Sequence, residues 1–529
     1  MKYKILQQLA IIFSLVFLSV ADSTAQPIVH FSETIHFSGQ PFILGQTEKN
    51  YFCLYPSDSM PELVIYDQGL REQSRLPWYS IVPKDTLTDY QTIIINNRLA
   101  ILIEQKTAAG IQIRCINVDE NGKRLNERTL VTDTTLKDFR LNQYAAEVSK
   151  NGKYILLYCG ITTSSDDFQF RGFLFDNNWN SIKQFVFPVK KQETEDSWSG
   201  AMVDIEGNIH SLVFSAADSW RKGTKIQIHT IVSGTDEMKS EQVEVGNRRL
   251  INYVFREDTL LHAIQLKATS TWQHRKDAMA GIAYMSFPLQ RNGKIRYASY
   301  DFSSEEKKSF TKNITAQNNL LNSSMIEFPW SFSPGGPFYT SLLIQSDYPG
   351  SAKIKPVSDN RAVSKLNEFY MPDKAINRSS GNVPYYAAPN QNSDRKQQDE
   401  INRLTKIKSW QNTKNISREV RQIILKTTTQ GTLETVTERV FKKGLLPFYD
   451  ASFYTVKDNS LQMLTYIVNT RGPALYLLTD NNNVGMKEIK TPDNVFVLLN
   501  EGRMLTDNTC LLPYLNSKTG GYGMVTIVF

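Results

Sequence analysis

Cysteine is scarce in this chain, with four in 529 residues, and none of Cys53, Cys115, Cys159 and Cys510 forms a CxxC pair. That excludes a disulfide-framework fold and a zinc ribbon. Beyond the first 20 residues no run reaches 18 uncharged apolar residues, so no transmembrane segment is expected in the mature chain. Charge of one sign is also lacking: 60 Lys and Arg against 53 Asp and Glu leave a net +7 with no dense basic stripe, which argues against a nucleic-acid partner. HExxH, GxSxG, GxxxxGK and a Rossmann GxGxxG after a strand are all missing, as are the SxDxGxTW boxes of sialidase-type propellers. No catalytic motif is recognisable, and neither a cofactor nor a metal is expected.

Aromatic side chains are plentiful, with 7 Trp, 24 Tyr and 27 Phe. Together with scattered Asn, Gly and Ser they favour many short strands over helices. The first 25 residues read as a signal peptide: Lys2 and Lys4, an apolar stretch from Leu9 to Val20, then Ser23-Thr24-Ala25 ahead of Gln26. Cleavage near Ala25 predicts a secreted or periplasmic protein spanning 26–529. Each cysteine lies in an apolar run where a free thiol behaves as a small hydrophobe. Buried thiols are the expectation, with a Cys53–Cys510 bridge left open.

Internal periodicity is the strongest signal in the mature chain. Gln91 to Val131 reads as four strands: QTIIIN, LAILIEQ, IQIRCINV and the polar RLNERTLV, with a tight turn at DENGK. The plan recurs after Tyr144, Ala201 and Leu250, and again in Phe42–Ser80 and Ala451–Lys490. First-turn positions near Lys49, Asn97, Asn151, Gly207 and Asp258 are spaced by 48, 54, 56 and 51 residues, the mark of a β-propeller. The first two strands of each unit are apolar on nearly every residue, as sheets covered on both faces require, and the fourth carries charge suited to an outer edge. An all-β propeller of four-stranded blades is predicted, eight in number with seven or nine possible. The C-terminal unit supplies only three strands, so Ile28–Phe37 is expected to complete it by strand exchange between the termini. An irregular insertion at about 348–417 interrupts one unit between its second and third strands.

Asn151-Gly152-Lys153-Tyr154-Ile155 resembles the "DGKYI" element of bacterial secreted propeller repeats. That resemblance implies architecture alone and identifies no particular family.

In such a fold the loops from strand two to three, and from strand four to the next unit, share one rim. Trp220 and Trp272 occupy equivalent second-to-third loops, and Trp78 and Trp198 fall in or near unit-to-unit connections. Arg221, His274, Arg275, Asp166 and Asp167 lie beside them. Indoles with charged neighbours suit a glycan or a peptide, although a large ring also wedges well between blades. DENG at Asp119–Gly122 and DNNN at Asp480–Asn483 suit tight turns better than calcium loops. His210, His229 and His262 are expected to pack within strands. Two functions are expected as alternatives: a binding or scaffold protein recognising a glycan, a peptide or an envelope partner on its rim, or a carbohydrate-active hydrolase or lyase using rim carboxylates as acid and base.

Overall fold

The computed structural model describes residues 27–36, 39–57, 60–84, 88–134, 144–162, 167–190, 196–215, 225–235, 237–244, 249–257, 260–271, 276–288, 296–305, 308, 326–327, 330–332, 338–345, 385–387, 417–427, 433–444, 452–457, 460–469, 472–479, 486–506 and 508–529. Among them the chain is all-β, with helix confined to short turns such as Trp78–Ser80 and Leu499–Glu501.

The first sheet is an antiparallel meander of Phe42–Gln46, Asn50–Tyr55, Glu62–Asp67 and Glu72–Pro77. Four more repeat it: a second within 88–133, a third within 145–190, a fourth within 196–244 and a fifth within 249–301. Side-chain character explains the order of strands. Asn50–Tyr55 is buried at every position, whereas Glu72–Pro77 alternates toward solvent. A strand apolar on both faces needs cover on both, and the sheets supply it by stacking. Leu44, Phe52 and Ile65 of the first sheet pack with Leu99, Ile101 and Ile116 of the second. Ile93 and Cys115 of the second meet Ile155 and Cys159 of the third, and Leu156 and Tyr158 of the third meet Ala201 and Ile209 of the fourth. This face-to-face stacking of four-stranded meanders is the architecture of a β-propeller.

Toward the C-terminus two meanders merge. Phe338–Gln345 pairs with Ser417–Thr427, which pairs with Leu433–Gly444. That strand touches the next meander, Ser452–Glu488, through Lys443 opposite Ile467, giving one nine-stranded sheet. Most of the expected insertion lies outside the described residues; Tyr385–Ala387 adds an edge strand to the second sheet against 89–91.

The two ends of the chain share a sheet. Thr509–Asn516 pairs with Gly521–Val528, and Ile28–Phe31 lies antiparallel along the latter, with Val29 opposite Ile527. Strand exchange between the termini is therefore present. Ser32 fixes the segment twice, accepting from Met524 N at 2.9 Å through its hydroxyl and donating its own N–H to Met524 O at 2.8 Å. This terminal sheet packs on the first sheet through Leu511 and Met524, and on the preceding meander through Leu512 and Val525.

Tight turns close one rim. Asp67, Asp119, Asp176 and Asp204 each place Oδ1 on the backbone N–H groups two and four residues later, at 2.8–3.0 Å. An Asp side chain that mimics a backbone acceptor is well suited to such turns. The DENG carboxylate is thus engaged in a turn, while DNNN lies outside the described residues. Adjacent turns are bonded sheet to sheet: Glu48 N to Asn97 Oδ1 at 2.7 Å, Asn96 Nδ2 to Asn177 O at 2.8 Å and Asn151 Nδ2 to Ile205 O at 2.9 Å. All four cysteines are buried free thiols, which removes the Cys53–Cys510 bridge. Burial lifts the Cys115 and Cys159 thiols to about 12, so neither is a reactive thiolate at neutral pH.

Candidate functional site

Opposite the tight turns, the second strand of a sheet ends, the fourth strand ends and the next sheet begins. Between the second and third sheets this end holds a buried polar cluster in an otherwise apolar interface. Glu104 comes from strand Arg98–Thr107, Asp133 closes strand Arg124–Asp133, and Gln91 belongs to strand Thr88–Ile95. Tyr144 immediately precedes the third sheet, and Arg171 lies in its third strand. The carboxyl-bearing residues are 6% (Glu104) and 8% (Asp133) exposed, so burying them demands partners.

Those partners are present. The Tyr144 hydroxyl donates to Asp133 Oδ2 at 2.7 Å, and Arg171 Nη1 reaches the same oxygen at 3.4 Å. Tyr144 N donates to Glu104 Oε2 at 3.3 Å. Gln91 accepts from Ala146 N at 3.1 Å and donates to the Tyr144 carbonyl. Arg171 Nη2 donates to Gln169 Oε1 at 2.8 Å, which holds the guanidinium in plane. Burial, with Cys159 and Asp133 nearby, pushes the Tyr144 phenol well above its ordinary range. Tyr144 is therefore a fixed donor, and the cluster ties the start of the third sheet to the end of the second. It anchors the chain on either side of residues 135–143 through Asp133 and Tyr144.

A second buried pair sits at the tight-turn end of the fourth sheet. His210 Nε2 lies 3.0 Å from Asp204 Oδ2 and its Nδ1 lies 3.1 Å from Thr230 Oγ1. Asn208 Nδ2 adds a bond to Asp204 Oδ2 at 2.8 Å. Burial pushes the Asp204 carboxyl up, but the bonds from His210 and Asn208 outweigh it and hold the group below its usual value. His229 packs on the same sheet with Nδ1 2.8 Å from Ser240 Oγ, and burial lowers its pKa. Both are strand histidines serving the sheet.

The sequence-derived candidates fare unevenly. Trp78 departs from a rim contact: its indole is 1% exposed, stacked obliquely on Tyr90 at 5.2 Å and enclosed between the first and second sheets. The reason is the short turn Trp78–Ser80, whose Ile81 and Val82 N–H groups bond back to the Trp78 carbonyl and fold the ring inward. Trp198 lies in strand Asp196–Val203 opposite Val213, and Asp167 opens the strand Asp167–Asp176 opposite Lys190. Asp166, Trp220, Arg221, Trp272, His274 and Arg275 lie outside the described residues. Among the described residues no three His, Cys, Asp or Glu side chains converge as a metal site. Glu104, Asp133 and Tyr144 were not singled out by sequence. The available signal was an acid near the rim end of the second and fourth strands of one sheet, Arg98–Thr107 and Arg124–Asp133.

No family model matches the chain, and no curated protein matches it. Among solved structures it is similar to the WD40 domain of SCAP from fission yeast, at 8% identity and a TM-score of 0.42 over 95% of this chain and 98% of that one. The β-propeller domain of Nup133 from Vanderwaltozyma polyspora matches at 8% identity and 0.38, covering 92% and 99%. The polysaccharide lyase Uly1 matches at 8% and 0.38, covering 85% and 90%.

Proposed function

We propose that this chain is an exported binding or scaffold protein whose loop rim recognises a glycan, a peptide or an envelope partner. The observation that carries the reading is the engagement of two carboxylates at this end among the described residues. Asp133 is held by Tyr144 and Arg171, and Glu104 by the Tyr144 amide. Groups tied this way position loops, whereas a hydrolase needs one carboxyl to give up a proton and another to act as base or nucleophile. The leader-like first 25 residues support export. By sequence spacing, Trp220 and Trp272 are the candidates for aromatic stacking on the ligand.

A glycan and peptide array probed with the mature chain tests this. Binding that drops tenfold or more in Trp220→Ala or Trp272→Ala is expected; an array without any ligand, or binding unaltered in both variants, removes the rim from the reading. Hydrolysis or elimination of an arrayed polysaccharide would instead establish the enzyme.

A further inference from the structure

Strand Ser181–Lys190 forms the outer edge of the third sheet and pairs only with Asp167–Asp176 among the described strands. Its two rows of side chains are treated differently. Phe185 is buried, its ring 5.3 Å from Phe170 and seated over Gly172, where a Cβ would lie 2.1 Å from it. Lys183 turns the same way and bonds the Thr235 carbonyl of the fourth sheet. The alternate row faces water: Ile182 is 48% exposed, Val186 46%, and Gln184 lies between them. Among the large apolar side chains exposed in the described residues, these are the only two supplied by one strand.

Three other outer strands are guarded. Glu72–Pro77 carries the Glu72–Arg75 pair, Arg124–Asp133 carries Arg124 bonded to Glu127, and Met238–Glu244 carries Lys239, Glu241 and Glu244. Such charges keep an open edge from templating another strand. Ser181–Lys190 contains no acid; of its two lysines, Lys183 is drawn inward and Lys190 is the last residue of the strand. Only Pro188, near its far end, removes a donor.

We propose that this edge is a self-association surface, on which the same strand of a second copy pairs antiparallel with Gln184 opposite Gln184. The sequence is self-complementary in that register. Ile182 of one copy falls beside Val186 of the other on the same face, Lys183 falls opposite Phe185, and no like charges meet. A two-fold axis through Gln184 gives an isologous, closed contact, and main-chain bonds join two four-stranded sheets into one.

Sedimentation and light scattering of the mature chain at about 50 μM, a concentration that populates even weak self-association, should report a dimer. Val186→Lys should weaken it tenfold or more while circular dichroism and melting stay unchanged, and Ile182→Lys provides a second variant if the first folds poorly. Gln184→Cys, oxidised with glutathione disulfide, should yield a disulfide-linked dimer, because the native thiols are buried. A monomer at that concentration, or a dimer indifferent to the lysine variants and unlinked through position 184, overturns the proposal.

Discussion

Tyr144 joins two sheets through one phenol and one amide, both directed at carboxylates that water barely reaches. Tyr144→Phe leaves the buried Asp133 oxygen short of a donor, and a loss of about 1–3 kcal/mol is expected from urea unfolding. Asp204→Ala should cost more, about 3–5 kcal/mol by the same measurement, because it removes the buried acceptor shared by His210 Nε2 and Asn208 Nδ2. Two carboxyls set opposite pH trends. Asp204, held low, contributes stability that is present above the ordinary carboxylate range and lost as pH falls through its folded value. Glu501 is raised to about 7 by burial, against the pull of Arg503, so its contribution is lost as pH climbs from about 4.5 toward 7. Melting of Glu501→Gln against the parent chain between pH 4.5 and 8 checks this: the parent alone should lose ground across that window. At this scale the sequence shows residue types but not the side they face. Trp78 reads as a rim contact or, more readily, as a wedge until the turn behind it is seen, and Asp133 looks like an ordinary edge acid until Tyr144 is brought over it.

Strands and turns were far more legible, because a mostly apolar run flanked by Asn, Asp or Gly specifies a covered strand and a tight reversal together. The runs LAILIEQ and IQIRCINV fall within Arg98–Thr107 and Gly110–Val118. Turn glycines permit a direct comparison. Gly152 at φ +69° has open space where a Cβ would stand, whereas Gly207 at φ +84° would press one against the Tyr154 ring at 3.1 Å. Gly152→Ala should therefore cost about 1 kcal/mol of backbone strain and Gly207→Ala somewhat more, read as the difference between their unfolding midpoints. The merging of two C-terminal meanders through Lys443 and Ile467 was not legible, since one cross-strand pair between separate units leaves no period in the sequence.

Over the whole molecule, repeated spacing announced stacked sheets, and a final unit short of one strand announced that the N-terminal segment must supply it. Stacking arises because each interior strand presents apolar side chains to both neighbours. Deleting residues 26–36 should expose the edge of Gly521–Val528 and uncover Leu511 and Met524, giving an aggregating chain or a melting point lower by many degrees. The rim loops were legible as positions only, since sequence spacing does not fix which of their side chains converge. The N-terminal strand pairs along the last strand of the chain, and one cross-link tests that pairing. With Val29→Cys and Ile527→Cys introduced together, oxidation of the folded chain should form an intramolecular disulfide that speeds migration on a non-reducing gel and raises the melting temperature. Two thiols that stay free and equally reactive in the folded protein would contradict the account.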